Sequence, residues 1–351
     1  WSWRFRIMSD IKINNITDRS GSSGPIFAGI STVSTDAFMV MPSGPTEYRG
    51  GRGRGFFHGG RNNPVHYSDI NYITIASTGN ATDWGDMSIK RNGGVGNVSS
   101  STRALIAGGY NLDTTANVSS IDYIIMSSDG GANDFGDLTE IGSFFGGVSN
   151  DTRGIYGGSY PSYNGILSSV TIATTGDASN FGSLISTELP SVGGINSPTR
   201  GIYSGITVSP VLGGSGSLVA RTEFVTIAST ANSQEFGDLS VTREANGGCS
   251  SPTRGLSSGG LTPSLSDVID YCTIATLGDF TDFGNLSVSR RSLYSCSSST
   301  RGVNGGGTTP TNLNTIDYVT IASTGNATDF GDMTYAARSP SANSDVHGGL
   351  G

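Results

Sequence analysis

Short runs with apolar residues on both faces recur along this chain, each followed by a polar turn and a lone aromatic. In IDYVTIAS (Ile316–Ser323), Ile316, Tyr318, Thr320 and Ala322 share one face of an extended strand, and Val319 and Ile321 share the other. A strand with one wet face alternates apolar and polar residues, whereas apolar groups on both faces predict a strand covered from both sides. STGNATD (Ser323–Asp329) then supplies Gly and Asn for a turn with positive φ. The following FGD begins a short strand whose aromatic is the large packing group. SLYSCSSSTRGVNGGG (Ser292–Gly307) reads as two more strands meeting at an STR corner and ending in a glycine run. The unit predicted is a four-stranded antiparallel meander.

The unit occurs six times. Aromatic-Gly pairs stand at Trp84-Gly85, Phe135-Gly136, Phe181-Gly182, Phe236-Gly237, Phe283-Gly284 and Phe330-Gly331, spaced by 51, 46, 55, 47 and 47 residues. Arg54, Arg103, Arg153, Arg200, Arg254 and Arg301 keep the same register, most of them inside TRG. The strand INYITIA (Ile70–Ala76) has its counterparts IDYIIMS, LSSVTIA, TEFVTIA, IDYCTIA and IDYVTIA. A period near 50 is that of a kelch-type propeller blade, and six units predict six blades. The first unit lacks an inner strand, while RSPSANSDVHGG (Arg338–Gly349) aligns with an inner strand and lacks the corner Arg. The end of the repeat region should therefore zip into blade one and remove the ring's open edges. The expected fold is all-β: a six-bladed kelch-like β-propeller over residues 49–351, preceded by an N-terminal β/irregular attachment segment over 1–48.

Composition fits. Only 14 % of residues are charged, 9 % are aromatic, and Gly occupies 53 positions, which suits tight turns and opposes long helices. No apolar run is long enough to span a membrane, and a net charge of −8 argues against a nucleic-acid partner. Cys249, Cys272 and Cys296 are too few for a disulfide scaffold and read as buried free thiols. Met8 reads as a natural start, and the WSWRFRI before it is too short and too Arg-interrupted for a secretory leader.

Loop lengths separate two kinds of connection. From each aromatic to the next corner Arg the distance is 18 or 19 residues, whereas from each Arg to its next strand it runs from 14 to 22. The loops between second and third strands all leave one end of the ring, so variability gathers there, as binding residues on rigid scaffolds do. Those loops hold His66, Tyr67, Tyr110, Tyr160 and Tyr163, with Arg61 beside them. Exposed aromatic faces suit stacking on sugar rings or partner surfaces; packing beneath their own loops is the plainer alternative. The periodic arginines read as structural ties to carboxylates or carbonyls rather than as an anion ring. The periodic Asp residues (Asp83, Asp86, Asp134, Asp137, Asp282, Asp329, Asp332) read as turn formers rather than as calcium ligands.

No catalytic constellation stands out. The only histidines are His58, His66 and His347, none in metal-ligand spacing with cysteine, and the carboxylates recur with the fold. A protein without catalytic residues, cofactor or metal is expected.

The repeat resembles the kelch family through GIYGG (Gly154–Gly158), IDY and FGD, with Phe mostly replacing the kelch Trp and Trp84 retaining it. SSDGGANDFG (Ser127–Gly136) also looks like the hairpin of sialidase-type propellers. In its phrases of the TIASTGNATDFGD kind and its Gly/Ser-rich residues 9–48, the whole chain is similar to structural proteins of tailed bacteriophages, marine ones especially. That resemblance implies an extracellular virion protein, tail-fibre- or appendage-like and present in multiple copies. It would attach to other virion proteins through residues 9–48 and present loops to a host-surface glycan or receptor. A purely structural capsid decoration, and a kelch-type glycan-binding lectin or enzyme, are the alternatives.

Overall fold

A computed structural model describes residues 53–350 except 94, 129, 159, 163, 186–189 and 209–216, with backbone alone at 95–97, 190–192, 206–208 and 217–218. The attachment segment expected over 1–48 lies outside the described residues.

The protein is a six-bladed β-propeller. Blade 3 shows the plain unit: strands Gly146–Ser149, Arg153–Gly157, Ile166–Thr171 and Ser179–Ser183 pair antiparallel in chain order, inner to outer. Blades 2, 4, 5 and 6 repeat it, with inner strands Val95–Ser99, Pro190–Asn196, Gly247–Ser250 and Tyr294–Ser297. Blade 1 is composite, as its missing strand predicts. Ser341–Ser344 pairs with Arg54–His58, setting Gly55 opposite Ser344 and His58 opposite Ser341. Asp69–Thr74 and Thr82–Asp86 complete that blade.

The core lies between blades, which is why the strands are apolar on both faces. Six apolar clusters are found among the described residues, and each draws on two consecutive blades. Phe57 and Ile73 of blade 1, for example, pack with Tyr294, Val303 and Phe330 of blade 6. Within a blade the FGD aromatic meets the IDY aromatic edge-on, Tyr318 and Phe330 at 5.8 Å and 81°. Such pairs add about 0.5–1.5 kcal/mol beyond area burial.

Three polar layers lock each blade to the next. At the corner, every TRG-position arginine reaches a carbonyl of the following blade. Arg103 donates to Ile172 and Ala173, Arg153 to Ile227 and Ala228, and Arg301 closes the circle onto Ile75. Each guanidinium also lies over an aromatic ring, 4.6 Å from that of Tyr318 for Arg301. These arginines are ties to carbonyls, the structural reading of the repeat.

The second layer explains TIASTGNATDFGD. The turn of one blade lies on the FGD strand of the blade before it. The N–H groups of Gly79 and Ala81 donate to Phe330 and Asp332, and Asn80 Oδ1 accepts the N–H of Asp332. The approach is so close that a Cβ on Gly331, at φ +147°, would sit 2.5 Å from the Gly79 oxygen. The turn therefore serves the neighbouring blade as well as its own.

The third layer circles the axis. Ser99, Ser149, Asn196, Ser250, Ser297 and Ser344 end the six inner strands. Ser250 Oγ accepts the N–H of Asn196 and donates to its carbonyl, and Ser297 does the same toward Ser250. Ser344 Oγ donates to Ser297 O, and Ser99 Oγ to Ser344 O, closing the ring. Buried backbone groups along the channel are satisfied in this way. After the closing strand, Val346–Leu350 fills this end of the channel: His347 Nε2 lies 2.9 Å from Ser99 O, and a Cβ on Gly349 would strike the Ser149 carbonyl oxygen. Burial lowers the His347 imidazole to about 4 and that of His58 to about 3, so both stay neutral near pH 7.

The Asp of IDY joins the blades too. Asp317 accepts from Ser287 N–H and Oγ–H and pairs with Arg290 at 2.8 Å, both side chains fully buried. Arg91–Asp122 and Arg243–Asp270 repeat this at 3.0 and 2.9 Å. At the junction of blades 6 and 1 both charges vanish together: Ala337 replaces the Arg, and Asn71 replaces the Asp while still accepting Thr334 N–H. The three cysteines are buried and unbridged. Burial raises all three thiols, Cys249 and Cys272 to about 12, so they are inert.

Candidate functional site

At the loop end of the channel, opposite the residues that fill it, lies a cavity of about 770 Å³. Pieces of three blades' variable loops and of the inter-blade connections build it. In blade 1, Arg61–Asn62 and Val65–His66 form a small hairpin that sets Arg61 opposite His66. Arg61 also bridges through its backbone to Arg338, each N–H donating to the other's carbonyl. In blade 2, Tyr110 stands between Asn92 and Asn117 on neighbouring strands. In blade 3, Tyr160 bridges to Ser143, and Asn117 Nδ2 donates to the Tyr160 carbonyl.

An unusual backbone runs beside the cavity. Gly93, Phe144, Ala245, Ser292 and Ser339 occupy equivalent places after five of the blades, all with φ between +51° and +62°. Their amides form a chain around the axis: Phe144 donates to Gly93, Gly93 to Ser339, Ser339 to Ser292, and Ser292 to Ala245. Non-glycine residues accept this left-handed conformation where the surroundings fix it, and here each bond fixes the next residue. Immediately before each stands Asn92, Ser143, Glu244, Arg291 or Arg338. Four of these five line the cavity, Glu244 being the exception.

Of the six residues expected to bind, the structure brings four together: Arg61, His66, Tyr110 and Tyr160 all line the cavity. His66 and Tyr110 rings lie 6.2 Å apart, and Tyr160 is 37 % exposed. Tyr67 is elsewhere. Its ring stacks at 4.1 Å on Tyr335, whose hydroxyl donates to Gly59 O and Asp69 O, so Tyr67 packs beneath its own loop. Tyr163 lies outside the described residues. Sequence reasoning missed Asn92, Phe144, Arg291 and Arg338, because the inter-blade connections have constant length and read as scaffold. Those connections leave the same end of the ring as the variable loops. The available signal was identity rather than length: one column of the repeat reads Asn, Ser, Glu, Arg, Arg.

Electrostatically the cavity runs against the chain's net negative charge. None of the described lining residues carries a carboxylate, Asp113 being the one near enough to act on His66, and three arginines line the cavity. Burial and then the Arg338 charge lower the Arg61 guanidinium; burial and then Arg291 lower that of Arg338. Burial and then Arg61 lower His66, which favours its neutral form. The Asn92 Nδ2, His66 Nδ1 and Asn117 Oδ1 atoms are buried without a hydrogen-bond partner. Such groups are costly to leave unmade, and all three belong to residues that line the cavity. Among the described residues no group of three or more His, Cys, Asp or Glu could hold a metal ion. The site can stack rings, offer uncharged donors and acceptors, and attract negative charge.

No protein-family model matches the chain, and no curated protein matches it.

Proposed function

We propose that this propeller is a non-enzymatic binding module of a bacteriophage particle. It is a tail-fibre-like appendage, held in multiple copies to other virion proteins through residues 9–48, whose loop end meets a host-surface glycan. Kelch-like and phage-like phrasing in the sequence motivates the setting. One observation supports the binding role: the cavity is lined by residues that differ from blade to blade, on a scaffold whose repeated inner-strand serines and corner arginines bond to neighbouring blades. Its volume falls within the usual range for small-ligand sites, about 300–1,000 Å³.

The test has two arms. Purified particles should contain the chain, read by mass spectrometry. Purified propeller should also compete with particles for adsorption to the bacterial host, and Tyr110→Ala/Tyr160→Ala should abolish that competition while folding normally. Particles lacking the chain overturn the virion assignment. Competition untouched by the double substitution overturns the loop-end site and returns the propeller to a purely structural decoration.

A further inference from the structure

The arginines of this chain divide sharply. The six corner side chains reach carbonyls or lie over aromatic rings, Arg91, Arg243 and Arg290 pair with buried aspartates, and Arg221 lies 3.6 Å from Glu223. The described arginines that remain are Arg61, Arg291 and Arg338. None makes an ion pair within 4.0 Å among the described residues, and all three line one cavity. Elsewhere among the described residues the fold gives each guanidinium an acceptor; here it collects three with no ion-pair partner.

We infer that this cavity binds the acidic residue of a saccharide, its carboxylate or sulfate held by Arg61, Arg291 and Arg338 and its ring against Tyr110. This rests on the binding role proposed above and names the ligand's chemistry. Guanidinium forks match planar or tetrahedral oxyanions through paired N–H donors, and a concave site with low-dielectric walls strengthens the attraction. An anion would relieve the mutual repulsion of the three cations. The unpartnered Asn92 Nδ2, 3 % exposed as a residue, and the His66 Nδ1 supply uncharged bonds of the kind that sugar hydroxyls use. Tyr110 offers a ring face for a pyranose. A nucleic acid carries anions as well, but it would meet a protein of net charge −8 over a large surface, whereas a short acidic glycan enters the cup alone.

The test is binding of the full chain to a panel of acidic oligosaccharides, uronate-containing and sulfated, beside neutral counterparts of the same backbone and a single-stranded oligonucleotide. Arg291→Gln/Arg338→Gln and binding of labelled protein to host cells run in parallel. The expected result is capture of acidic glycans only, weakened at least tenfold by the double substitution and by raised salt, with no loss of melting temperature. Uronate and sulfate arms then identify the oxyanion. Equal capture of neutral glycans, binding unchanged in the double variant, or preference for the oligonucleotide overturns the inference. Cell binding that persists in the double variant overturns the inference and leaves the binding role standing; wild-type protein that fails to bind cells overturns the binding role.

Discussion

The two ends of this propeller are made from the same repeat and use its polar positions differently. At the corner end, a ring of hydroxyl and amide side chains satisfies the inner strands, arginines reach the next blade's carbonyls, and Val346–Leu350 fills the channel. At the loop end, one column of the repeat changes from Asn to Ser to Glu to Arg, and Arg61, Arg291 and Arg338 line a cavity with no ion pair among the described residues. Periodicity marks groups that serve neighbours, because every blade has the same neighbour. Departure from periodicity marks groups free to serve a ligand. Both classes contain arginine, so residue type alone does not separate them.

The largest test of this contrast is at a buried ion pair. Removing one partner strands the other charge, which costs about 3–5 kcal/mol. Arg290→Met and Asp317→Asn should each lower unfolding stability by that order, read by denaturant titration. Arg290→Met/Asp317→Asn should recover most of the loss, because the 6–1 junction already works with Ala337 and Asn71. A double variant as unstable as the sum of the singles would show that the two sites are not one coupled unit.

That junction also shows what could be read in advance. Blade count, meander order and the composite first blade were legible because three markers, Arg, IDY and FGD, share one register. The role of the corner arginines was legible as a tie, though not which blade they tie to, because contacts between blades leave no local pattern. The fully buried Arg243 and Arg290 were invisible in VTREANGG and VSRRSLYS, where hydropathy assigns polar residues to the surface and their acid partners stand 27 positions further on. Four of the six expected binding residues meet in the cavity because loops from one end of a ring must converge. Tyr67 does not, since an aromatic beside a loop can stack inward as readily as outward. Arg291 and Arg338 were not legible because connections of constant length read as scaffold.

A smaller test separates glycines that permit a turn from glycines that permit a neighbour. Gly79 and Gly331 both hold positive φ, +157° and +147°, but a Cβ on Gly79 meets nothing within 4 Å, whereas one on Gly331 meets the Gly79 carbonyl. Backbone strain alone costs about 1 kcal/mol or more. Gly79→Ala should stay near that figure, and Gly331→Ala should exceed it, to about 3 kcal/mol, as the turn is pushed off the outer strand. Equal losses in thermal melts would mean that the blades are not held by this approach.

The smallest effect carries the most information about function, and it compares two arginines. Arg301 donates to Ile75 O at 3.0 Å and lies over the Tyr318 ring; Arg338 has charged neighbours of its own sign and no carboxylate among the described residues lining its cavity. Arg301→Gln should cost about 1–2 kcal/mol, from a lost bond and a lost stack. Arg338→Gln should stay within about 0.5 kcal/mol of the parent. At low salt it should move toward greater stability, since repulsion between these half-buried like charges is partly screened as salt rises. Should Arg338→Gln destabilise the fold as much as Arg301→Gln, the loop-end arginines would be scaffold like the corner ones, and the difference between the two ends would reduce to loop length.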